Sequence, residues 1–208
     1  MAIALKSAGC VLQSQCLAFP SQAEVAESPY GTEVLRVYQQ LGGIQKDIPL
    51  RLLKWDIELE DVAVELDEDL HFNRYRRVTL QSSIYGELAG FPLKLWQAYC
   101  ENHEADCLKA GSYGNKWTTK NCERQFGPTG DYRDLEGNGA PRWKQRAFYD
   151  FVKDITPLIL GVDVVRISIW DQLIEHGSAK TVGESLRVPS AQLGNQLRAL
   201  IESRRTLF

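Results

Sequence analysis

Residues Ala63 to His71 read AVELDEDLH, which sets Glu65, Asp67, Glu68, Asp69 and His71 within one short stretch. Carboxylates and an imidazole at this density have two readings. They form a solvent-facing acidic edge, as amphipathic strands commonly do, or they hold a hard divalent cation and a water beside it. The elements on either side decide how these groups can meet. Trp55, Ile57 and Leu59 alternate with Asp56 and Glu58, and Val62, Val64 and Leu66 alternate with Ala63, Glu65 and Asp67. This is the pattern of two strands joined by a tight turn at Glu60-Asp61. A two-residue turn sets Leu59 opposite Val62, Asp56 opposite Glu65 and Lys54 opposite Asp67. Trp55, Ile57 and Leu59 then share the apolar face with Val62, Val64 and Leu66. Like charges directly opposed across a ribbon are destabilising, so Asp56 and Glu65 call for a cation between them. A three-residue loop would put these two acids on opposite faces.

The chain has 208 residues, a net charge of −3, 44% hydrophobic and 25% charged residues. That is ordinary for a globular domain and long enough for one buried core. The charge neither marks nor excludes a nucleic-acid binder. No apolar run approaches 18 residues, so no membrane span is expected. Five cysteines are an odd number without disulfide-scaffold density, which points to a reducing cytoplasm. The N-terminal stretch Met1 to Phe19 makes a poor signal peptide and reads as part of the fold or a loose arm.

Glu33 to Leu41 carries a helical apolar stripe with Thr32 as its cap. Arg74 to Leu88 and Leu93 to about Cys107 read as further helices, with a third early strand placed at Lys46–Leu50 or in the insertion. Residues 109–142, rich in glycine and poor in aliphatics, read as a long irregular insertion. Trp143 to Ile155 is a strong helix stopped by Pro157, Val162 to Trp170 a strand, and Thr181 to Arg204 two short helices with Ser190 as a cap. The order predicts a single domain over 1–208 of mixed α/β or α+β class, with its core at about 30–90 and 142–171, an insertion at about 91–141 and C-terminal helices at about 178–205.

The run Asp56…Glu65-Leu66-Asp67…His71 resembles the PD-(D/E)XK, restriction-endonuclease-like nuclease superfamily, and is most similar to its very-short-patch-repair branch. The helix with Glu33, the Tyr75-Arg76 pair after His71 and the late helix–strand unit through Val162–Ile167 agree with it. The departures are Asp67 in place of the usual lysine, and Glu68 and Leu70 in place of a glycine and a polar residue. The resemblance implies a mixed central sheet flanked by helices and Mg²⁺- or Mn²⁺-dependent hydrolysis of phosphodiester bonds, with DNA as the expected partner, in repair, restriction or phage defence. Asp56 and Glu65 would bind the metal, with Asp67 and Glu33 completing or supporting the site. His71 or Lys54 would orient or deprotonate the water, Lys54 standing in for the missing lysine, and Arg74 or Arg76 would meet phosphate. The same fold without cleavage, as a nucleic-acid-binding or regulatory protein, is the alternative.

Two other groups bear chemistry. Cys100, His103, Cys107 and Cys122 are ligand types for Zn²⁺, and the first three share a face if one helix carries them; buried thiols and a surface histidine fit as well. Lys109 to Arg146 interleaves basic and aromatic residues, among them Tyr113, Lys116, Trp117, Lys144 and Arg146, which suits phosphate contact and base stacking or a solvated loop.

Overall fold

The computed structural model describes residues 1–13, 17–50, 54–175 and 177–205. In chain order the elements are α1 (Ala2–Ser7), β1 (Leu12–Gln13), α2 (Gln22–Glu27), α3 (Gly31–Gln40), β2 (Ile57–Leu59), β3 (Val62–Asp67), α4 (Arg74–Thr79), α5 (Leu93–Asn102), α6 (Glu104–Gly111), α7 (Gly114–Trp117), α8 (Lys120–Phe126), α9 (Pro141–Asp154), α10 (Thr156–Leu160), β4 (Asp163–Ser168), β5 (Gln172–Glu175), β6 (Ser178–Thr181), α11 (Val182–Arg187) and α12 (Leu193–Glu202). Two 3₁₀ turns, Asp69–His71 and Ser83–Glu87, lie between them. The fold is mixed α+β, and no helix among the described residues is long and apolar enough to cross a membrane.

The four-stranded sheet has the order β1-β2-β3-β4. β2 and β3 are antiparallel with Leu59 opposite Val62 and Ile57 opposite Val64, the register the alternation predicts. Glu60 in the turn has φ +43°, a left-handed conformation that L residues adopt at a cost. β4 runs parallel to β3, with Glu65 beside Arg166 and Asp67 beside Ser168. Residues 68–162, ending in α9 and α10, form the crossover that a parallel pair requires.

The period-two alternation sorts β3 between two layers. Val62 and Val64 pack with Leu59, Val165 and Ile167 against Leu5 of α1, Val182 of α11 and Leu193, Leu197 and Ile201 of α12. Gly194 permits that packing, because a Cβ there would lie 2.2 Å from the Ala4 carbonyl oxygen. The other face carries Glu65 and Asp67 toward α9. Trp55 packs with Ala63 and Val164 on this second face, not with Ile57 and Leu59 as the alternation predicts. The regular strand begins only at Ile57, so parity does not extend back to Trp55.

Several elements differ from expectation. The third early strand is Leu12–Gln13, paired to β2, while 46–50 forms no strand. The helix expected over 74–88 ends at Thr79, and Ser82 caps a separate 3₁₀ turn. The helix expected through Cys107 breaks at His103, where Glu104 is drawn to the Arg74 amide at 2.7 Å. α3 starts at Gly31 with Tyr30 as its cap residue, so Thr32 does not cap it. Ser190 likewise lies before the α12 cap position, Gln192. The β5–β6 hairpin was not expected. Most consequential, residues 109–142 are not a loose insertion. Trp117, Phe126, Leu135 and Ala140 are buried in the main core, since a few large aromatic side chains supply the apolar area that aliphatics would otherwise provide.

Candidate functional site

Asp56 lies one residue before β2 and meets Glu65 of β3 as the hairpin register requires. Its amide donates to Glu65 Oε1 at 3.1 Å, and its own Oδ2 accepts from the Leu66 amide at 2.9 Å. The cation that meets Glu65 is Lys153 of α9, whose Nζ donates to Glu65 Oε2 at 2.6 Å and to the Lys54 carbonyl at 2.9 Å. Burial pushes the Glu65 carboxyl up to about 7, against the pull of Arg166 and Lys153. Among the described residues Lys54 forms no ion pair with Asp67, contrary to the register's expectation. Its side chain is exposed, whereas Asp67 is fully buried and takes its charge partner from Arg166.

Asp67, on the same face of β3 as Glu65, enters a network beneath the sheet. Arg166 Nη1 donates to Asp67 Oδ1 at 2.5 Å and to Asp150 Oδ1 at 3.3 Å, and Arg166 Nε to Asp154 Oδ1 at 2.6 Å. The Trp96 indole N–H donates to Asp67 Oδ2 at 2.7 Å. Arg76 closes the network on Asp154 at 2.6 Å. Three carboxylates thus face two guanidiniums, which leaves one negative charge. His71 lies beside it, with Nδ1 2.8 Å from Asp150 Oδ2 and 3.4 Å from Asp67 Oδ1. Burial works against ionised Asp150, but His71 and Arg166 outweigh it and hold the carboxyl well below its usual range. Asp67, His71 and Asp150 offer three ligand atoms within 4.8 Å of one another. Arg166 already bridges the two acids there, so the geometry is that of an ion-pair network in which Asp150 orients a histidine.

His71, at the end of its 3₁₀ turn, lines an open groove of about 370 Å³ together with Asp56, Ile57, Leu66 and Glu68. An imidazole engaged through Nδ1 leaves Nε2 for other work. Among the described residues that nitrogen makes no hydrogen bond, so the groove brings a free ring nitrogen to the Asp56 side of the hairpin.

Of the other expected site residues, only Arg146 stands near this groove. Its Nη1 reaches the Leu70 carbonyl at 3.4 Å, and Asp150 and Glu68 are among its charged neighbours. Arg74 is held by Glu104 and Glu136. Arg76 is fully buried on Asp154, Thr79 and Tyr85. Lys144 is buried on Asn138 at 2.7 Å and over the Tyr75 ring, and desolvation lowers its pKa. Glu33 binds Arg36 and accepts from Ser82 at 2.6 Å, tying α3 to the segment after α4.

The cysteine cluster does not converge. The break at His103 destroys the shared face. His103 instead stacks on Trp170 with ring centroids 3.7 Å apart and pairs with Asp106. Cys107 Sγ accepts from Asn73, and Cys122 Sγ lies on Thr119 and Gln145. Burial pushes the Cys100 and Cys107 thiols up to about 12.

The sequence reading missed Asp150, Lys153, Asp154, Arg166 and Trp96. Two signals were present. Asp150, Lys153 and Asp154 sit within the apolar stripe of α9, and Arg166 interrupts Val164-Val165 and Ile167; a charge inside a buried run implies a buried partner.

Residues 36–188 match a protein family described as "Family of unknown function (DUF7255)". The chain belongs to that family. The DUF7255 match contains β2, β3, α9 and β4, and with them Asp56, Glu65, His71, Asp150, Lys153 and Arg166; α1, β1 and α12 lie outside it. No curated protein and no solved structure matches the chain.

Proposed function

We infer that this DUF7255 protein is a metal-dependent nuclease of restriction-endonuclease-like fold that hydrolyses phosphodiester bonds in DNA, working in the reducing cytoplasm in repair, restriction or phage defence. The observation that carries the reading is the convergence of Asp56 with Glu65 across the hairpin, with Lys153 on Glu65 and His71 on the same groove as Asp56. The order β2, β3, α9, β4, with the last two strands parallel, agrees with the core of that superfamily.

The donor set fits Mg²⁺ or Mn²⁺. Mg²⁺ is commonly held by one or two carboxylates and keeps several waters, and Asp56 is exposed at a groove that water can enter. Asp56 and Glu65 would hold the ion; Asp67, spent on Arg166 and Trp96, supports the sheet instead. When bound, such an ion lowers the pKa of water and polarises a phosphoryl oxygen. The chain's own residues supply the rest. His71, oriented by Asp150 through Nδ1, takes a proton at Nε2. Lys153 holds Glu65 in place and sets a positive charge behind the hairpin. Arg146 has N–H groups to spare for phosphate charge.

Glu65 favours a second reading, because both its oxygens already have donors: a nucleic-acid-binding protein that does not cleave. Incubation of plasmid and oligonucleotide DNA with Mg²⁺ or Mn²⁺ separates the two. Cleavage lost in Asp56→Ala and in Glu65→Ala supports the nuclease. Cleavage that persists in the double variant removes this site, and DNA binding without cleavage leaves the second reading.

A further inference from the structure

A second hollow of about 330 Å³ adjoins the groove. The two share Leu66 and Glu68 in their walls. Lys116 of α7 and Arg187 of α11 contribute to it from elements far apart in sequence. Both are exposed; neither forms a salt bridge among the described residues, although Arg187 lies near enough to Glu184 of the same helix to help hold that carboxyl below its usual range. Lys116 Nζ spends its hydrogen bonds on the Ala110 carbonyl at 3.0 Å and the Tyr113 hydroxyl at 3.1 Å, so its charge is unneutralised by any carboxylate it touches. It also lies 5.1 Å from the centre of the Tyr113 ring. Tyr113 is 53% and Tyr132 58% exposed, whereas Trp117 and Phe126 of the same region are buried. Glu68 and Asp69 line the hollow too; Glu68 is on the wall shared with the groove, at the end where a metal ion would sit.

Exposed cations beside an exposed aromatic face are the elements of single-strand binding, the charge tracking phosphates and the ring accepting a base. The size of the hollows is that of small-ligand sites, which suits one strand threaded through them and not a duplex laid across.

We propose that the hollow between Lys116 and Arg187 is the track by which a single nucleic-acid strand enters the groove of Asp56 and His71, with these two cations on its phosphates and Tyr113 stacked on a base. The proposal rests on the nuclease reading for its direction, but it concerns binding and is tested apart from cleavage.

The probe is a fluorescein-labelled oligothymidylate, titrated without divalent metal across a series of salt concentrations, with a matched duplex in parallel. All three substituted residues are exposed, and a thermal melt checks each variant's fold. The wild type should bind the single strand more tightly than the duplex. Lys116→Gln with Arg187→Gln should weaken binding and flatten the slope of log K against log salt by about 1.4, at roughly 0.7 per phosphate contact on a single strand. Tyr113→Ala should weaken binding roughly tenfold and leave the slope unchanged. A wild type that binds no single strand, a preference for duplex, or variants with unaltered affinity and slope would each overturn the track. Strand binding with the expected slope change but no cleavage under Mg²⁺ or Mn²⁺ would keep the track and discard the nuclease reading. Cleavage with a KM indifferent to Lys116→Gln and Arg187→Gln would do the reverse.

Discussion

His71 Nδ1 and Asp150 Oδ2 lie 2.8 Å apart although 79 residues separate them in the chain. The contact fixes which ring nitrogen faces the acid and which is left to the groove. On the nuclease reading Asp150 therefore acts through His71, as a positioning residue.

His71→Gln should lower kcat by about 10²–10⁴-fold, the usual contribution of a proton-transferring side chain, and leave the KM for DNA near its wild-type value. Asp150→Asn should follow it in kcat while metal affinity, which the nuclease reading assigns to Asp56 and Glu65, stays unchanged. Steady-state kinetics and calorimetric Mn²⁺ titration measure the two separately. A variant that loses Mn²⁺ binding along with kcat would place His71 and Asp150 in the metal site itself.

Arg166 holds three carboxylates beneath the sheet, and its own charge is strengthened because they outweigh the desolvation it suffers. Removing one partner from such a network strands the others, at about 3–5 kcal/mol. Arg166→Met should show this as a large fall in the denaturant midpoint. The network also sets the acid limit of stability. Asp150 ionises well below its usual range in the folded protein, whereas in the unfolded chain it titrates near about 3.9. Below about pH 4 the unfolded state binds the extra proton, so stability is present above that pH and is lost as pH falls. Asp150→Asn should be less stable near neutrality and flatter across the acid range, read from melts between pH 3 and 7. An unchanged acid limb would remove Asp150 from this account.

The buried thiols should be inert in the folded protein. With their pKa values raised, Cys100 and Cys107 carry little thiolate, the reactive form. Without added Mg²⁺ or Mn²⁺, EDTA should leave the melting temperature unchanged, and alkylation of Cys100, Cys107 and Cys122 should require denaturant. A zinc stoichiometry near one per chain, lost with Cys107→Ala, would contradict the separated positions of these residues.

The hairpin was legible because its determinants are local. Period-two alternation and the length of the Glu60-Asp61 turn are enough to bring Asp56 beside Glu65, and α9 and β4 announce themselves by stripe and apolar run. Residues 109–142 were misread because composition undercounts a core built from Trp117 and Phe126. The cysteine geometry was misread because a one-residue break at His103 rotates α6 relative to α5, and no periodicity marks it.

What the sequence by itself determined is the acidic pair, its register and the mixed α+β class. Only tertiary structure decided which cations answer the acids. Lys153 reaches Glu65 across 88 residues and Arg166 reaches Asp67 across 99. The sequence puts Lys54 nearest in register, but its strand has not yet begun at that point, and its side chain remains in water. A carboxylate buried against a helix must take its partner from that helix or from the neighbouring parallel strand, since desolvation makes an unpaired charge costly. Which residues those are is set by the crossover through α9, which brings distant parts of the chain onto one face of β3.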